Sequence, residues 1–537
     1  MDAALTKMRD GRIRIGPARN RTALTLWVLA AFALGLLIRA YFVLPRDFPL
    51  SDGGLFYTMI REVQGAGYAL PWYTSYNAAG IPYAYPPLGL YVAALLDDLT
   101  TLALLDILRY LPMVLDSLIV LAVALLAHGL LRSPAATAFA ALAYAVMPGF
   151  EWGIMGGGLT RSLGLLFAVL TVYAVHRMYS EQQAKHVVLA AVFGGLTVLS
   201  HPSLTWFACY TAAFVLVASG RTRRGLLYSI ATVVGVGLLT APWWLTVLVR
   251  HGVGPLLAAA GSGSALVYGM TYLMTLSHNA FHSLAGVAGL AGIIPCLIKR
   301  QYLLPIWLLA TFLLDPRKAH STVTVPLALL AAVGLAYILG PVLKGRAGDA
   351  ASDGEADGSI TAWLQSLLAT GVIVLLVGQG FVAAADWSQP RLRSLPAEER
   401  AAMAWVADNT PPDSGFIVIN GPQTAWDGSS EWFPALAGRT SVATYQGYEW
   451  LGLGNSRFEA GQKLQLCAYS DAGCLEDWAQ SQGVTFTHVY VACRADAPNE
   501  GDPDKCAQLR NALSRDPEYG IIYDLHGVTV FQRLEDY

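Results

Sequence analysis

The chain has 537 residues, 55% hydrophobic and only 13% charged, with a formal net charge of -2 and a mean hydropathy of +0.47. That balance excludes a soluble globular protein and describes a polytopic membrane protein; no nucleic-acid signature accompanies it. The net charge itself says little, because in a membrane chain the distribution of Lys and Arg among the loops carries the information.

In chain order, a basic segment (residues 1–21, with Arg9, Arg12, Arg14, Arg19 and Arg21) precedes the first apolar stretch. A transmembrane helix needs about 20 apolar residues, fewer where the bilayer thins or the helix is buried. By that measure spans are predicted at 22–44, 108–131, 134–152, 159–179, 187–199, 203–218, 226–249, 281–298, 302–314, 321–340 and 361–384. The first runs on through Leu36-Leu-Ile-Arg-Ala-Tyr-Phe without a small-residue cleavage site, so it is expected to be retained. Arg177 with Lys185, Arg221 with Arg223 and Arg224, Lys299 with Arg300, and Lys344 with Arg346 all fall on the side of the N-terminus. That side is therefore expected to be cytoplasmic, and the eleven spans of a 22–384 domain put the C-terminus outside.

The outer segment 45–107 carries Leu55, Phe56, Met59, Ile60 and Val63 at helical spacing. An amphipathic helix over 53–64, lying near the membrane interface, is predicted. Residues 86–104 read as a re-entrant or interfacial helix, or as an added span. A second outer loop, 251–280, is rich in Gly, Ser and Tyr and suits either a lid or a plain surface loop. The stretch 344–360 reads as a flexible acidic cytoplasmic linker.

Beyond the last span, residues 385–537 have ordinary composition. A helix is predicted at Ala397–Asn409, ended by Pro411-Pro412, with strands starting at Phe416 and at 487–493, 520–524 and 527–533. This is a small extracytoplasmic α/β domain. Cys209 and Cys296 lie in spans, whereas Cys467, Cys474, Cys493 and Cys506 lie in this domain and suggest two disulfides. Three connectivities are open, of which the local pairs are the simplest.

Ionisable groups at the outer ends of spans are expensive to bury and therefore informative. They are Arg39, Asp52, Glu151, Arg161, His201, Arg250, His251, Asp315, Arg317, Lys318 and His320. In Asp315-Pro-Arg-Lys-Ala-His320, Arg317 suits a phosphate as a fork and Lys318 as a point charge; headgroup snorkelling or a pair with Asp315 are the bland alternatives. Arg161 follows Gly156-Gly157-Gly158, where backbone or ligand can approach closely. Glu151 is a second outer carboxylate suited to substrate or metal. No Asp-x-Asp stands in the outer loops and Asp97-Asp98 reads as a solvated face, so a divalent metal is possible but not supported, and no cofactor is required. Asp52 is either the N-cap of the 53–64 helix or a catalytic carboxylate.

The segment Asp52-Gly-Gly-Leu-Phe-Tyr57-x-x-x-Arg61-Glu62, the Tyr85-Pro-Pro-Leu88 that follows it, and the many spans leading to an outer domain resemble the GT-C glycosyltransferases over residues 22–340. The likeness is to the protein O-mannosyltransferase and aminoarabinose transferase type, which use polyprenyl-phosphate sugars. It agrees with the polytopic α-helical membrane domain of about eleven transmembrane helices counted above, GT-C-like, followed by a C-terminal extracytoplasmic α/β domain. It further implies Asp52 as the catalytic base and outer basic residues that bind the lipid phosphate. On that reading Tyr57, Tyr85, Glu151, Arg161, His201, Arg317, Lys318 and His320 surround the substrates. Such enzymes commonly show Asp-Glu where this chain has Asp52-Gly53, which leaves a second acidic role unassigned. The expected partners are the polyprenyl-phosphate-linked donor, the bilayer, and an acceptor glycan, lipid or protein outside the cell.

The chemistry is coherent without the likeness. Attack by an acceptor hydroxyl needs a base, whereas a phosphate leaves as an anion without a protonating acid, so one carboxylate plus cations suffices. In-line displacement inverts the sugar carbon. The competing classes are a transporter or flippase, which favours polar groups near the midplane as Asp116 is, and a non-catalytic cell-envelope assembly protein.

Overall fold

The computed structural model describes residues 21–147, 149–261, 283–316, 319–349, 367, 370–379, 392–421, 428–493 and 504–534. Arg317 and Lys318, most of loop 251–280, and the greater part of both the 344–360 linker and the 361–384 stretch lie outside them. Among the described residues, six helices are long and apolar enough to cross a membrane: Arg21–Val43, Leu104–Leu131, Gly158–Glu181, Pro202–Ser219, Arg223–His251 and Ala319–Leu339. Shorter apolar helices stand at the other predicted stretches, namely Pro134–Val146, Ala184–Val198, Leu284–Ile298, Leu303–Leu314 and Thr370–Gln379. A helix satisfies its own backbone in lipid, which is why apolar runs of this length become helices.

Side-chain caps close several helix starts. Ser133 accepts from the Ala136 N–H at 3.3 Å, Thr222 from Gly225 at 2.9 Å and Ser283 from Gly286 at 2.9 Å. Arg223–His251 leaves Leu238 70% and Val249 84% exposed, as a lipid-facing helix should. Helix Thr324–Asp349 runs into the first residues of the expected linker, since no proline after Pro341 removes a backbone donor there.

Arg39 and Asp116, the outer cation and the mid-span acid of the sequence, form a buried ion pair at 2.5 Å. The Arg39 guanidinium also donates to the carbonyls of Gly35 (3.1 Å) and Ala145 (3.2 Å) and lies 5.0 Å from the centre of the Phe150 ring. The pair ties the first long helix to the second, and it satisfies the one acid that favoured a transporter. Arg250 is also used internally, donating to the carbonyls of Leu70 at 2.6 Å and Pro71 at 3.0 Å.

The amphipathic helix forms at Gly54–Gly65, but its apolar face is covered by protein and not by lipid. Leu55, Phe56, Met59, Ile60 and Val63 pack into one core with Phe416, Val418, Trp432, Phe433 and Tyr490 of the C-terminal domain. A helical apolar stripe states that something covers it; the sequence period does not distinguish lipid from a domain arriving far later in the chain. Residues 86–104 hold the 12-residue helix Leu88–Leu99, which packs in the same core.

The C-terminal domain is built on a five-stranded sheet of order β2-β1-β3-β5-β4, where β1 is Gly415–Ile419, β2 Thr440–Ser441, β3 His488–Val491, β4 Tyr519–Leu525 and β5 Val528–Arg533. β1 runs parallel to β2 and β3, with Phe416 opposite His488, while β5 is antiparallel to β3 and β4. Phe416–Ile419 is buried throughout because both faces of the sheet are covered, hence its unbroken apolar run. The helix Ala397–Asn409 has the expected bounds. Disulfides join Cys467 to Cys474 and Cys493 to Cys506, each with Cα atoms 5.7 Å apart. β2, only two residues long, carried no periodic signal and was not expected.

Candidate functional site

Asp52 is presented by a stretch held on both sides. The Leu50 carbonyl accepts from the Gly156 N–H at 2.9 Å, and the Ser51 N–H donates to the Arg393 carbonyl at 2.7 Å. Gly53, at φ 143°, sits where a side chain would be strained and would meet the Trp432 ring. This bend turns Asp52 away from its own helix: Gly53 is the N-cap residue of Gly54–Gly65 and supplies no side chain to cap it. The Asp52 carboxylate reaches instead to the start of a different helix, Gly158–Glu181.

There Asp52 Oδ1 accepts from the Gly157 N–H at 2.9 Å, and Arg161 Nη2 donates to Oδ1 at 3.2 Å and Oδ2 at 3.1 Å. Arg161 Nε donates to the Trp152 carbonyl at 2.8 Å, fixing the guanidinium plane. Both side chains of the pair are 17% exposed. The helix N-terminus adds its partial positive charge, so this carboxylate rests in a site built for an anion. The glycine run is what allows the approach: a Cβ on Gly156 would stand 2.0 Å from the Asp52 carbonyl oxygen.

The C-terminal domain closes the other side, through residues that sequence reasoning missed. Glu431 Oε2 accepts from the Gly53 N–H at 2.7 Å and Oε1 from the Leu55 N–H at 3.3 Å, so it caps the Gly54–Gly65 helix from another domain. Tyr76 donates its hydroxyl to the Glu431 carbonyl at 2.6 Å, and Trp432 Nε1 donates to the Ser51 carbonyl at 2.9 Å. Asn77 and the Ser441 backbone exchange two hydrogen bonds, at 3.0 and 2.7 Å. The only sequence signal was an acid set in the apolar run Glu431-Trp-Phe-Pro434, and its partner lies 378 residues away.

Two cavities meet at the Asp52–Arg161 pair. The outer one, a solvent-open cleft of about 650 Å³, has Asp52 and Glu431 in its lining together with Tyr445, Gln446, Phe458 and Gln462. The inner one, about 440 Å³, is lined by Arg161, His201, Asp116, Trp152, Ser321 and Thr324. Among the described lining residues, the outer cleft holds no cation and the inner cavity holds Arg161. The arrangement gives a carboxylate facing one compartment and a guanidinium facing the other.

The remaining predicted residues distribute around this junction. His201 lines the inner cavity, and its ring lies 6.3 Å from that of Tyr85. Tyr85 is buried, shares a 3.1 Å hydrogen bond with Thr160, and packs edge-on to Phe56 and Trp450. Burial pushes its phenol up to about 12, so it stays neutral. His320 is buried with its ring 4.5 Å from Trp152. Glu151 is buried in the short helix Glu151–Ile154 and lines neither cavity. Tyr57 lines neither cavity; its ring packs 6.0 Å from Trp432 and 5.7 Å from the Arg61 guanidinium. Asp97 and Asp98 are engaged by Arg61, Gln64 and Tyr68. Among the described residues no cluster of three His, Cys, Asp or Glu is placed to hold a metal.

Burial holds the Glu431 carboxyl well above its ordinary 4.5, to about 8, and the nearby Asp52 charge pushes the same way. A raised carboxyl value means the folded protein binds the proton more tightly than the unfolded chain. Its contribution is therefore intact below about pH 4.5 and is lost as pH rises towards 8. Glu431→Gln is expected to flatten the decline of thermal midpoint with pH across that window. An unchanged slope in a pH series of melting curves would assign the decline to other groups.

No family profile matches the chain, and no curated protein matches it. Solved structures do. The archaeal oligosaccharyltransferase AglB from Archaeoglobus fulgidus, in complex with an inhibitory peptide and a dolichol-phosphate, is similar at a TM-score of 0.61 and 17% identity, over 87% of this chain and 69% of that one. ArnT from Cupriavidus metallidurans, bound to undecaprenyl phosphate, is similar at 0.53 and 15%, over 94% of this chain and 98% of its own. The arabinofuranosyltransferase AftD from Mycobacteria is similar at 0.55 and 17%, over 97% of this chain but 42% of AftD. The chain therefore has the GT-C fold of these membrane proteins.

Proposed function

We propose that this protein is an integral-membrane glycosyltransferase that moves a sugar from a polyprenyl-phosphate-linked donor to an acceptor on the extracytoplasmic face, with inversion. The acceptor hydroxyl attacks the anomeric carbon, the bond from that carbon to the phosphate oxygen breaks, and the lipid phosphate departs with the electron pair. Asp52 takes the hydroxyl proton. Arg161 opposes the charge that grows on the phosphate, in the compartment that also holds His201. Arg317 and Lys318 are the further cations we assign to the lipid phosphate. The two solved structures holding dolichol-phosphate and undecaprenyl phosphate support a donor of this class.

The observation that carries the reading is the Asp52–Arg161 pair at the junction of a cation-free cleft and an arginine-lined cavity. A base belongs on the face opposite the leaving group, and the separate cavities lined by Asp52 and by Arg161 support that assignment. Arg161 reaches both Asp52 oxygens through a single nitrogen, Nη2. An entering phosphate competes with Asp52 for that guanidinium. The basic N-terminal side is cytoplasmic in this reading, and the disulfide-bonded domain lies outside.

Arg161→Lys tests the assignment by keeping the charge and removing the fork. Charge-assisted hydrogen bonds contribute about 1.5–3 kcal/mol, so affinity for polyprenyl phosphate should fall about tenfold to a hundredfold. Unaltered binding of that lipid to the purified variant would sever Arg161 from the phosphate.

A further inference from the structure

The outer cleft has a composition of its own. One wall is the segment Ala443–Gln446 after β2; the other is the helix Gly454–Gln465. Both walls are fixed from behind. Thr444 donates to the Ser430 carbonyl at 2.7 Å, and Arg457 donates to the Val442 carbonyl at 2.8 Å. Gln465 is spent on the backbone of Asn420, Gly421 and Val418. Tyr445 and Phe458 stand edge to face across the walls, with ring centres 5.2 Å apart. Gln446 and Gln462 line the space without a hydrogen bond to any described residue, so each amide keeps donors and an acceptor for a ligand.

Resting on the transferase reading, we propose that this cleft is the acceptor subsite and that it takes a neutral glycan. A sugar offers hydroxyls that both donate and accept around an edge, together with an apolar ring face. Amides and aromatic rings of this kind match those two demands. A phosphorylated or uronic acceptor would instead meet Asp52, whose partner Arg161 is already engaged, and no further cation among the described lining residues. Asp52, the proposed base, lines the same cleft.

The test is direct binding of the full-length protein in lipid nanodiscs to an array of neutral gluco-, manno-, galacto- and arabino-oligosaccharides. Uronate-containing and phosphorylated glycans and Ser/Thr-rich peptides are the comparison probes. Neutral oligosaccharides should bind best, and Tyr445→Ala and Gln462→Ala should each weaken them about three- to tenfold, the loss of one ring contact or one hydrogen bond. Absence of any neutral glycan ligand, preference for acidic glycans or peptides, or indifference to both substitutions would each overturn the proposal. Any of those results alongside sugar transfer that depends on Asp52 leaves the transferase reading standing without a glycan acceptor. Glycan binding of the expected kind, in a protein whose transfer ignores Asp52, would instead keep the subsite and remove the base.

Discussion

Asp52→Asn is expected to lower sugar transfer from a panel of polyprenyl-phosphate sugars by about 10²–10⁴-fold, the range contributed by a positioned general base. The substitution suits the site because Asn retains an oxygen for the Gly157 N–H and has nearly the volume of Asp. What disappears is the negative charge that accepts the proton and pairs with Arg161. Arg161 keeps its bond to the Trp152 carbonyl, so the guanidinium stays ordered. The melting temperature should therefore move little while turnover collapses. Transfer that persists at the parental rate in a folded Asn variant would exclude Asp52 as the base. A loss of folding together with activity would be resolved by Asp52→Glu, which restores the charge and should recover part of the rate.

The second large effect is structural. Arg39→Met is expected to destabilise the membrane domain by about 3–5 kcal/mol, because it leaves the Asp116 carboxylate buried without its partner. Asp116 is 3% exposed and Arg39 1% exposed, so water does not compensate on either side. The double substitution Arg39→Met with Asp116→Leu removes both charges and should recover most of that loss, since a buried ion pair and a packed apolar pair are often of similar stability. Thermal unfolding in detergent would separate these outcomes. Equal destabilisation in the single and double variants would mean that the arginine acts through its contacts with Gly35, Ala145 and Phe150, independently of Asp116.

Much of the architecture was legible in the residues because each signal was local. Apolar runs near the length of a bilayer became helices, and Ala397–Asn409 was bounded by Pro396 and Pro411. The strands at Phe416, 488–491 and 528–533 announced themselves as short apolar runs between turns. Cysteine spacing left three pairings open, and the structure holds the two local ones. The amphipathic helix after Asp52 was also legible, but what covers it was not: the period specifies a stripe, and the covering core comes from residues 402–437 and beyond.

The site divides along the same line. Sequence alone marked Asp52, Arg161 and His201 as costly ionisable groups at the rim of a membrane domain, since desolvation makes each such residue informative wherever it falls. It also marked the glycines that let a backbone come close. It did not reveal that Asp52 leaves its own helix to cap another, that Glu431 caps the vacated one from a distance of 378 residues, or that Asp116 is neutralised by Arg39. Those facts depend on which long-range partners meet, and hydrogen bonds and ion pairs act over a few ångströms of space with no regard to separation along the chain. Chemical identity of the groups was therefore written in the sequence, while their pairing, and with it the placing of Asp52 in one cavity and Arg161 in the other, was decided only by the packed chain.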